Sequence, residues 1–356
     1  MGALHIVVAG AGNIGSHLLP HLARIPAIKR ITLVDPDTYE ESSNSAAIES
    51  NVATQNIERS DLGRSKVEVQ AEKLHSIRPD LDVVPLQARI EDVPRGLLVC
   101  SLFTGCLDSR LARQHLNEIS WRLNTPWIDC GILGSQNLAR VTTYRPNHDS
   151  PCLECSWNPG PDGEYALLEQ EYLCGAGAIS FSSMASSALG ALAASLAALQ
   201  VAKFVRDAAP GDFGGRQLMV DSEHHTMRLT AEYRNSRCRF DHRVWHLEPW
   251  VCSVGSTTIG DALRALGCLR VEGQRFARGL VCPGCGRRDD ALRMNRPLAR
   301  CSTCNLRMTP ADFGYFDHLD QANAADFLDL TLSSTGVRAG DIVSSYGRHR
   351  VLKEAA

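Results

Sequence analysis

Short apolar runs alternate with stretches of helical periodicity along the first 150 residues. Residues 4–9 and 31–35 are runs of β-branched and aliphatic side chains that predict two strands. Residues 16–24 and 66–78 predict two helices, each of which stops just before a proline. Strands that alternate with helices indicate an α/β fold, here a Rossmann-like, doubly wound and mostly parallel sheet.

A long stretch of residues 179–202 carries no charge and is rich in alanine and serine. Because it has few large apolar side chains, it predicts a buried core helix and not a membrane span. The first residues lead directly into a strand, with no basic region or small-residue cleavage site. We therefore expect a cytoplasmic protein that does not insert into a membrane.

Shifts in composition divide the chain. After Pro151 the sequence becomes rich in Cys, Pro and Gly, which predicts a crossing segment over residues 151–178 that leads to the Ala-rich helix. The composition changes again near Trp250. We predict a large domain over residues 1–248 and a small module over 249–356, with a zinc ribbon at 280–306 and an acidic tail from Asp312 to Asp329.

Composition and charge exclude several classes of protein. Of the 356 residues 44% are hydrophobic and 22% charged, as expected for a folded globular protein. A net charge of -3 gives no general reason to expect nucleic acid or an anionic membrane as a partner. The 13 cysteines are an odd number, so they cannot all form intramolecular disulfides. In a reducing compartment, paired cysteines indicate metal binding or catalysis.

A glycine-rich motif follows the first predicted strand and opens the first helix. Gly10, Gly12 and Gly15 allow a tight turn and a close approach of the backbone to phosphates at the helix N-terminus. Asp35 lies at the end of the next strand, where its carboxylate can accept hydrogen bonds from ribose hydroxyls. This layout indicates a nucleotide site, but the motif alone does not distinguish a nicotinamide cofactor from ATP.

Further motifs carry a family resemblance over roughly residues 4–245. They are Asp35-Pro-Asp37, Asn51-Val-Ala-Thr-Gln55, Gly63-Arg-Ser-Lys66 and the ungapped run from Asp108 through Arg113 to Asn117. With the glycine loop, this set resembles the superfamily of ubiquitin-activating enzymes and their ThiF/MoeB/HesA-type bacterial relatives. Those enzymes adenylate the C-terminal glycine of ubiquitin-like proteins.

The resemblance implies roles for these residues. Adenylation brings a carboxylate against the α-phosphate, so negative charge must be neutralised by metal and cations. Asp108 would hold magnesium, and Lys66 and Asn51 would contact the ATP phosphates. The implied cofactor-binding set is Gly10, Gly12, Asn13, Gly15, Asp35, Asp37, Asn51, Gln55, Lys66 and Asp108. Other roles for Asp108 and Lys66 are a helix cap and a solvated helix charge.

Two departures from the family pattern stand out. Thr54 replaces an arginine of the family, so one phosphate-contacting cation is missing from that place. The chain is also longer than the family between Asp37 and Asn51, where Ser43-Asn44 is a rival match. We prefer Asn51, because it keeps the downstream spacing intact. The long polar stretch 40–58 predicts a functional loop with a helical turn.

Two sets of cysteines have metal-ligand spacing. Cys282, Cys285, Cys301 and Cys304 form C-x2-C-x15-C-x2-C, a zinc-ribbon pattern.

The second set begins with Cys152 and Cys155, and its other half is Cys238 with His242. In the family a distant cysteine pair completes this zinc site, and here His242 is preferred to Asp241 as fourth ligand because imidazole is the commoner partner. The alternative is a buried Cys238 with a redox-active pair.

Cys174 lies between the Cys152–Cys155 pair and the Ala-rich helix, where the resembling family has its nucleophile. A thiolate there could attack the acyl-adenylate and carry the partner as a thioester. A small buried apolar role is the alternative. That core role is expected for the five other cysteines, Cys100, Cys106, Cys130, Cys252 and Cys268.

The main hypothesis is thus an ATP-dependent enzyme that activates a ubiquitin-like protein, with Asp108, Lys66 and Cys174 as catalytic residues and two structural zinc sites. The resemblance also implies a homodimer, and the acidic tail could dock the partner or a conjugating enzyme. The nearest alternative is a sulfur-carrier adenylyltransferase without a thioester step. A nicotinamide-dependent oxidoreductase and a zinc-ribbon scaffold are more distant alternatives.

Overall fold

The computed structural model describes residues 2–40, 51–160, 163–165, 168, 185–207, 213–294, 300–311 and 314–355. The chain divides into two compact units. The first comprises residues 1–91 and 100–244, and the second comprises 92–99 and 245–356. The composition predicts a boundary after residue 248 and places 92–99 in the first domain, because no change in composition marks that short segment.

One eight-stranded sheet organises the first unit, with strand order β3-β2-β1-β4-β5-β6-β7-β8. The strands from β3 to β5 in this order are parallel, and β5 to β8 are antiparallel. The fold class is therefore the predicted mostly parallel α/β sheet. The eight strands are β1 (Leu4–Ala9), β2 (Ile28–Val34), β3 (Asp82–Leu86), β4 (Leu102–Gly105), β5 (Trp127–Leu133), β6 (Leu138–Tyr144), β7 (Arg216–Asp221) and β8 (Thr226–Ala231).

Five described helices accompany this sheet. They are α1 (Asn13–Ala23), α2 (Asn51–Thr54), α3 (Lys66–Ile77), α4 (Arg110–Arg122) and α5 (Ser187–Asp207). Leu18 and Leu22 of α1 are fully buried in one core cluster with Ala193 and Ala197 of α5. Alanine lets α5 approach α1 and the sheet closely, which explains why an Ala-rich helix is used here.

Within the described residues, one stretch, Ser187–Arg206, is long and apolar enough to cross a membrane by length and composition. Its mean hydropathy is 1.7, and a third of it is buried within the protein. Ala193, Ala194, Ala197 and Val201 are its fully buried positions. The same stretch thus serves as a core helix of the first unit, as the alanine content predicts.

The second unit contains a four-stranded sheet in the order β10-β15-β16-β9 and a smaller sheet in which β11 pairs with β12, β13 and β14. Its one described α-helix, α6 (Ile259–Leu266), is capped by Thr258. Its strands are β9 (Leu247–Val251), β10 (Arg270–Val271), β11 (Phe276–Val281), β12 (Arg288–Met294), β13 (Thr309–Pro310), β14 (Tyr315–Phe316), β15 (Ile342–Ser345) and β16 (Arg348–Lys353).

The acidic segment predicted as a tail lies inside this unit, because β15 and β16 follow it in the chain. Asp317 forms an ion pair with Arg275 at 2.9 Å, and Asp326 with Arg278 at 2.8 Å. Part of its negative charge is therefore matched within the unit.

Candidate functional site

The glycine loop between β1 and α1 is packed so tightly that only glycine fits at two positions. Gly10 has φ +97°, and a Cβ there would lie 2.3 Å from the carbonyl oxygen of Cys106. A Cβ on Gly15 would lie 2.0 Å from the carbonyl oxygen of Gly10. A Cβ on Gly12 would meet nothing within 4 Å. The loop is thus supported from below and open at Gly12, as a phosphate-binding loop must be.

Asp35 joins this loop to the end of β2. Its Oδ2 accepts a hydrogen bond from the Ala11 amide at 2.7 Å, and its Oδ1 accepts one from the Asp37 amide at 2.9 Å. Burial raises the pKa of the Asp35 carboxyl, and the nearby Lys66 ammonium acts in the opposite direction. Each carboxylate oxygen keeps further lone pairs, so these bonds leave acceptor capacity for ribose hydroxyls.

Lys66 and Asp37 form an ion pair beside the loop. The Nζ of Lys66 lies 3.0 Å from Oδ2 of Asp37, and the Lys66 side chain is only 11% exposed. Lys66 is the first residue of α3, and its amide donates to the Asp37 carbonyl at 3.0 Å. The lysine is therefore held near the glycine loop, and it is not the solvated helix charge of the alternative interpretation.

Tyr39 is a contributor that sequence analysis misses. Its buried hydroxyl donates to the Ala11 carbonyl at 3.2 Å and accepts from Nε2 of Gln70 at 2.9 Å. Burial raises the pKa of the Tyr39 phenol, so the group remains a donor at neutral pH. Gln70 is fully buried and lies four residues after Lys66 on the same face of α3. That spacing was the signal in the sequence that Gln70 faces the same region as Lys66.

The remaining residues of the predicted cofactor set differ in what their side chains contact. The Oδ1 of Asn51 accepts from the Glu40 amide at 3.0 Å, which joins the start of α2 to the segment that follows β2. Asn13 points toward the start of α5, where its Nδ2 donates to the carbonyls of Ala185 and Ser186. The buried Oε1 of Gln55 has no hydrogen-bond partner within the part of the chain that the structure describes.

The rival Ser43-Asn44 match lies outside the described residues. At Thr54, which replaces the family arginine, the backbone carbonyl accepts a hydrogen bond from the His17 side chain.

Asp108 lies three residues past β4, in the segment that follows Cys106. Two residues earlier, the Cys106 amide donates to the Ala9 carbonyl at 2.7 Å, which holds this segment against the end of β1. Asp108 is exposed, and Ser109 is the residue that caps α4, with its Oγ accepting from the Ala112 amide at 3.4 Å. The carboxylate of Asp108 is therefore not the helix cap of the alternative interpretation.

The rest of the Asp108 motif has a structural role on α4. Arg113 donates to the Leu107 carbonyl and to one oxygen of Asp129, a fully buried residue of β5. Arg140 of β6 donates to the other oxygen of Asp129 at 2.6 Å. Two arginines around one buried carboxylate satisfy its charge and fix the start of α4 on the sheet.

Four side chains form what we call the mixed cluster. The Sγ of Cys152 lies 3.8 Å from Sγ of Cys155 and 3.7 Å from Sγ of Cys238. The Nε2 of His242 lies 3.4 Å from Sγ of Cys155. All four potential ligand atoms lie within 4.8 Å of one another, which fits a tetrahedral zinc site.

The surroundings of the mixed cluster favour His242 over Asp241 as its fourth member. Asp241 forms a two-pronged ion pair with Arg122, with Nη1–Oδ1 and Nη2–Oδ2 distances of 2.6 and 3.1 Å. His242 has φ +55° and packs edge-on against Trp121 with ring centroids 4.6 Å apart. The left-handed backbone at His242 turns its imidazole toward the cysteines while Asp241 faces α4.

Helix α4 connects the Asp108 segment to the mixed cluster. Asp108 and Ser109 precede it, and Trp121 near its end is fully buried with Cys152 and Cys155 in one apolar cluster. Between them, Oδ1 of the buried Asn117 accepts from the Leu153 amide at 3.0 Å. The same helix therefore contacts both the segment beside the glycine loop and the mixed cluster.

The second group of ligands, the four-cysteine cluster, consists of Cys282, Cys285, Cys301 and Cys304. Two matched turns present them: the Gly286 amide donates to the Cys282 carbonyl, and the Asn305 amide donates to the Cys301 carbonyl. Gly286 and Asn305 both have positive φ, at 72° and 59°. The spacing of four thiols in two such turns fits a structural zinc ribbon.

Cys174, the predicted nucleophile, lies outside the described residues, as does the whole of the crossing segment after residue 168.

Comparison with known proteins defines the family. Residues 1–240 match the ThiF family, and the chain belongs to it. It is similar to the molybdopterin-synthase adenylyltransferase of Salmonella typhimurium, with 28% identity over 42% of this chain and 57% of that protein. It is also similar to the sulfur carrier protein ThiS adenylyltransferase of Escherichia coli (25% identity; 45% and 59% covered).

A third relative is the SAMP-activating enzyme E1 of Haloferax volcanii, with 26% identity over 44% of this chain and 54% of the relative. The chain thus spans less than two thirds of the length of each of these relatives. Among solved structures, E. coli MccB with ATP matches with a TM-score of 0.50 and 21% identity, covering 66% of each chain. MccB in complex with N-formylated MccA has a TM-score of 0.52 and 20% identity, with 66% of this chain and 67% of that chain covered. These two matches support the fold.

Proposed function

We propose that this protein uses ATP to adenylate the C-terminal carboxylate of a ubiquitin-like or sulfur-carrier protein. The observation that carries the proposal is the glycine loop, open at Gly12 and surrounded by Asp35, the Lys66–Asp37 ion pair and the Asp108 segment. The names of the relatives, which are two adenylyltransferases and one activating enzyme E1, support the same reaction class.

In the proposed reaction, the loop and the N-terminus of α1 bind the phosphates, and Asp35 accepts hydrogen bonds from the ribose. An oxygen of the partner's carboxylate attacks the α-phosphorus, the bond to the β-phosphate breaks, and pyrophosphate leaves. Lys66 counters the charge that develops on the phosphates, and it is already buried and oriented by Asp37, so little reorganisation is needed. Asn51, placed at the start of α2, would donate its amide to a phosphate.

Magnesium fits this site through the exposed carboxylate of Asp108, because carboxylate oxygens and phosphates are its usual ligands. When bound, it would neutralise phosphate charge. The role of this chain is to hold the Asp108 segment against β1 through the bond between Cys106 and Ala9, and to fix the start of α4 through Arg113.

We further propose zinc in both cysteine clusters, each as a structural ion. Each set supplies four thiol or imidazole ligands, which is the donor chemistry of closed, four-coordinate zinc sites.

The step after adenylation divides two versions of the function. In the first, the thiolate of Cys174 attacks the acyl carbon, AMP leaves, and the partner is carried as a thioester. In the second, the adenylate passes to sulfur-transfer chemistry with no thioester on Cys174. The name of one relative, a sulfur carrier protein adenylyltransferase, supports this version. A homodimer, a conjugating enzyme as a later partner, and a cytoplasmic location complete the proposal.

Partner-dependent exchange between pyrophosphate and ATP tests the adenylation step. With a candidate ubiquitin-like protein, we expect exchange in the wild type and a loss of at least about a hundredfold in Asp108→Ala, because charge neutralisation at the phosphates is lost. Glu118→Ala, which removes a carboxylate from the helix that follows Asp108, is the matched control. Absence of partner-dependent exchange across the candidates encoded in the same genome would contradict the proposal.

Trapping the partner then separates the two versions. A partner adduct that is cleaved by thiol reductant and lost in Cys174→Ala supports the thioester version. Normal exchange with no such adduct supports the sulfur-carrier version.

A further inference from the structure

Two cysteines lie side by side on neighbouring strands below the glycine loop. Strands β4 and β5 are parallel, and Gly105 pairs with Asp129 at the end of the ladder. The next residue of each segment is Cys106 and Cys130. Paired positions on adjacent strands lie about 4.8 Å apart, within the range of about 4.4–6.8 Å between Cα atoms that a disulfide spans.

The side chains of both cysteines point to the same face of the sheet. Cys130 is fully buried in the core cluster formed with α1 and α5, and Cys106 packs against that cluster from a half-buried position. The thiol of Cys130 hydrogen-bonds to the side chain of Cys106, and this bond together with burial raises the pKa of Cys130. Both are free thiols in the structure.

Cys106 also forms the floor of the glycine loop. Its carbonyl oxygen lies where a Cβ on Gly10 would be only 2.3 Å away, and its Cβ would lie 3.6 Å from a Cβ on Gly15. Its amide is bonded to the Ala9 carbonyl at 2.7 Å. A displacement of Cys106 must therefore displace the loop or the Asp108 segment that follows it.

We propose that Cys106 and Cys130 are a site of reversible oxidation, a dithiol that forms a disulfide under peroxide and thereby weakens ATP binding. The half-buried Cys106 reacts first: its sulfur takes one oxygen from hydrogen peroxide to give a sulfenic acid, and one water leaves. The Cys130 sulfur then attacks the Cys106 sulfur, the S–O bond breaks, and a second water leaves with the Cys130 proton. In total two thiols lose two electrons and two protons, and peroxide is reduced to two waters.

The disulfide changes the loop because the two sulfurs must move from contact to a bond of about 2.05 Å. The loop has no space to absorb that movement at Gly10 or Gly15, since both glycines already contact backbone atoms. We expect the affinity for ATP to fall by about tenfold. This part of the inference rests on the proposed function, whereas formation of the disulfide does not.

The experiment uses the full, metal-loaded chain and a small molar excess of hydrogen peroxide. Trypsin leaves Cys106 in the peptide 96–110, which also holds Cys100, and leaves Cys130 in the peptide 123–140. Cys100→Ala is therefore the reference protein, and Cys100→Ala with Cys130→Ala is its matched control. Mass spectrometry of unreduced digests detects the link between the peptides, and calorimetry measures ATP affinity before oxidation, after it, and after reduction.

We expect linked peptides in the reference protein, a reversible fall of about tenfold in ATP affinity, and neither effect in the control. A nucleophilic reagent that reacts with sulfenic acids and not with thiols should label Cys106 in the control, which has no partner thiol. No link in the reference protein would overturn the proposal, whether Cys106 is labelled or not. A link with unchanged ATP affinity would overturn the effect on the loop. If ATP does not bind before oxidation, the proposed function fails. The linked peptides then still show whether Cys106 and Cys130 form a disulfide.

If Cys130→Ala unfolds the first unit, as thermal unfolding would show, Cys130→Ser replaces it in the same comparison.

Discussion

The mixed cluster and the four-cysteine cluster hold similar ligands in different ways. In the four-cysteine cluster, Sγ atoms 22 residues apart in the chain lie 3.2 Å apart, and two of the four cysteines are exposed. In the mixed cluster, Sγ atoms 86 residues apart lie 3.7 Å apart, and the ligands pack around a buried tryptophan of α4. The four-cysteine cluster closes a short loop of the chain, and the mixed cluster closes a long one.

This difference determines how far the effect of each cluster should extend. Closing a longer loop removes more entropy from the unfolded chain, although the dependence on length is weak. The larger distinction is in packing: the mixed cluster contacts α4, which also begins beside the glycine loop. We therefore expect loss of the mixed cluster to reach the candidate ATP site, and loss of the four-cysteine cluster to stay within the second unit.

The largest expected effect is that of Cys152→Ala. The change removes one ligand and leaves two thiols and an imidazole around a buried position, so we expect one fewer metal ion per chain. The free energy of unfolding of the first unit should fall by more than about 3 kcal/mol. Metal content by mass spectrometry and thermal unfolding measure both. Cys100→Ala, which also removes a thiol from the first unit, should keep both metals.

A somewhat smaller effect is expected for His242→Ala, because three thiolates can still bind the metal. Loss of a group that only supports a ligand costs about tenfold to a hundredfold in metal affinity. We expect loss of this direct ligand to cost at least as much, measured by competition with a chelator. Asp241→Ala on the neighbouring residue removes the half-exposed ion pair with Arg122 and a hydrogen bond from the Arg243 amide. The ion pair is worth about 1 kcal/mol or less. Equal losses of metal from both variants would show that the choice of His242 as ligand is wrong.

Asn117→Ala tests the link between α4 and the mixed cluster. The change leaves the buried Leu153 amide without its acceptor, which should cost about 1–3 kcal/mol of stability in the first unit. Asn117→Asp keeps an acceptor oxygen in the same place and is the matched control. Thermal unfolding measures the cost, and chelator-driven loss of metal should be faster in the alanine variant. Similar behaviour of the two variants would mean that this hydrogen bond does not support the cluster.

The smallest effect on the first unit is expected for Cys301→Ala. The variant should lose one metal ion and lose protection from hydrogen exchange in β11 to β13, since these strands surround the four-cysteine cluster. Pyrophosphate exchange should stay within about twofold of the wild type. A collapse of pyrophosphate exchange in Cys301→Ala would contradict the distinction between the clusters.

Much of the first unit follows from its sequence. The first strand is predicted at its observed bounds, 4–9, and the predicted helix at 66–78 differs from α3 by one residue. Regular periodicity and a following proline give these boundaries. Helix α1 begins at Asn13, three residues before the predicted start at 16, because the glycine loop itself leads into the helix. The place of residues 92–99 in the second unit depends on contacts distant in sequence, and no local pattern encodes it.

The candidate site shows the same division. Motif spacing identifies the glycine loop, Asp35 and Lys66, since these residues are fixed by a strand–turn–helix unit. The hydrogen bond from Tyr39 to the loop and the contact between Cys106 and Cys130 arise where separate elements meet. The structural role of Arg113 and Asn117 was also not predictable from their register, because the same spacing would serve residues that bind nucleotide.

The stacking of Gly15 on Gly10, and of Gly10 on Cys106, also has a consequence for sequence variation. Selection for folding alone should keep glycine at positions 10 and 15, where a Cβ would meet backbone atoms at 2.3 and 2.0 Å, respectively, but should accept alanine at 12. Selection for ATP-dependent activity should reject alanine at 12 as well. Substitutions at Gly12 would thus separate the requirements of catalysis from those of folding in a saturation library.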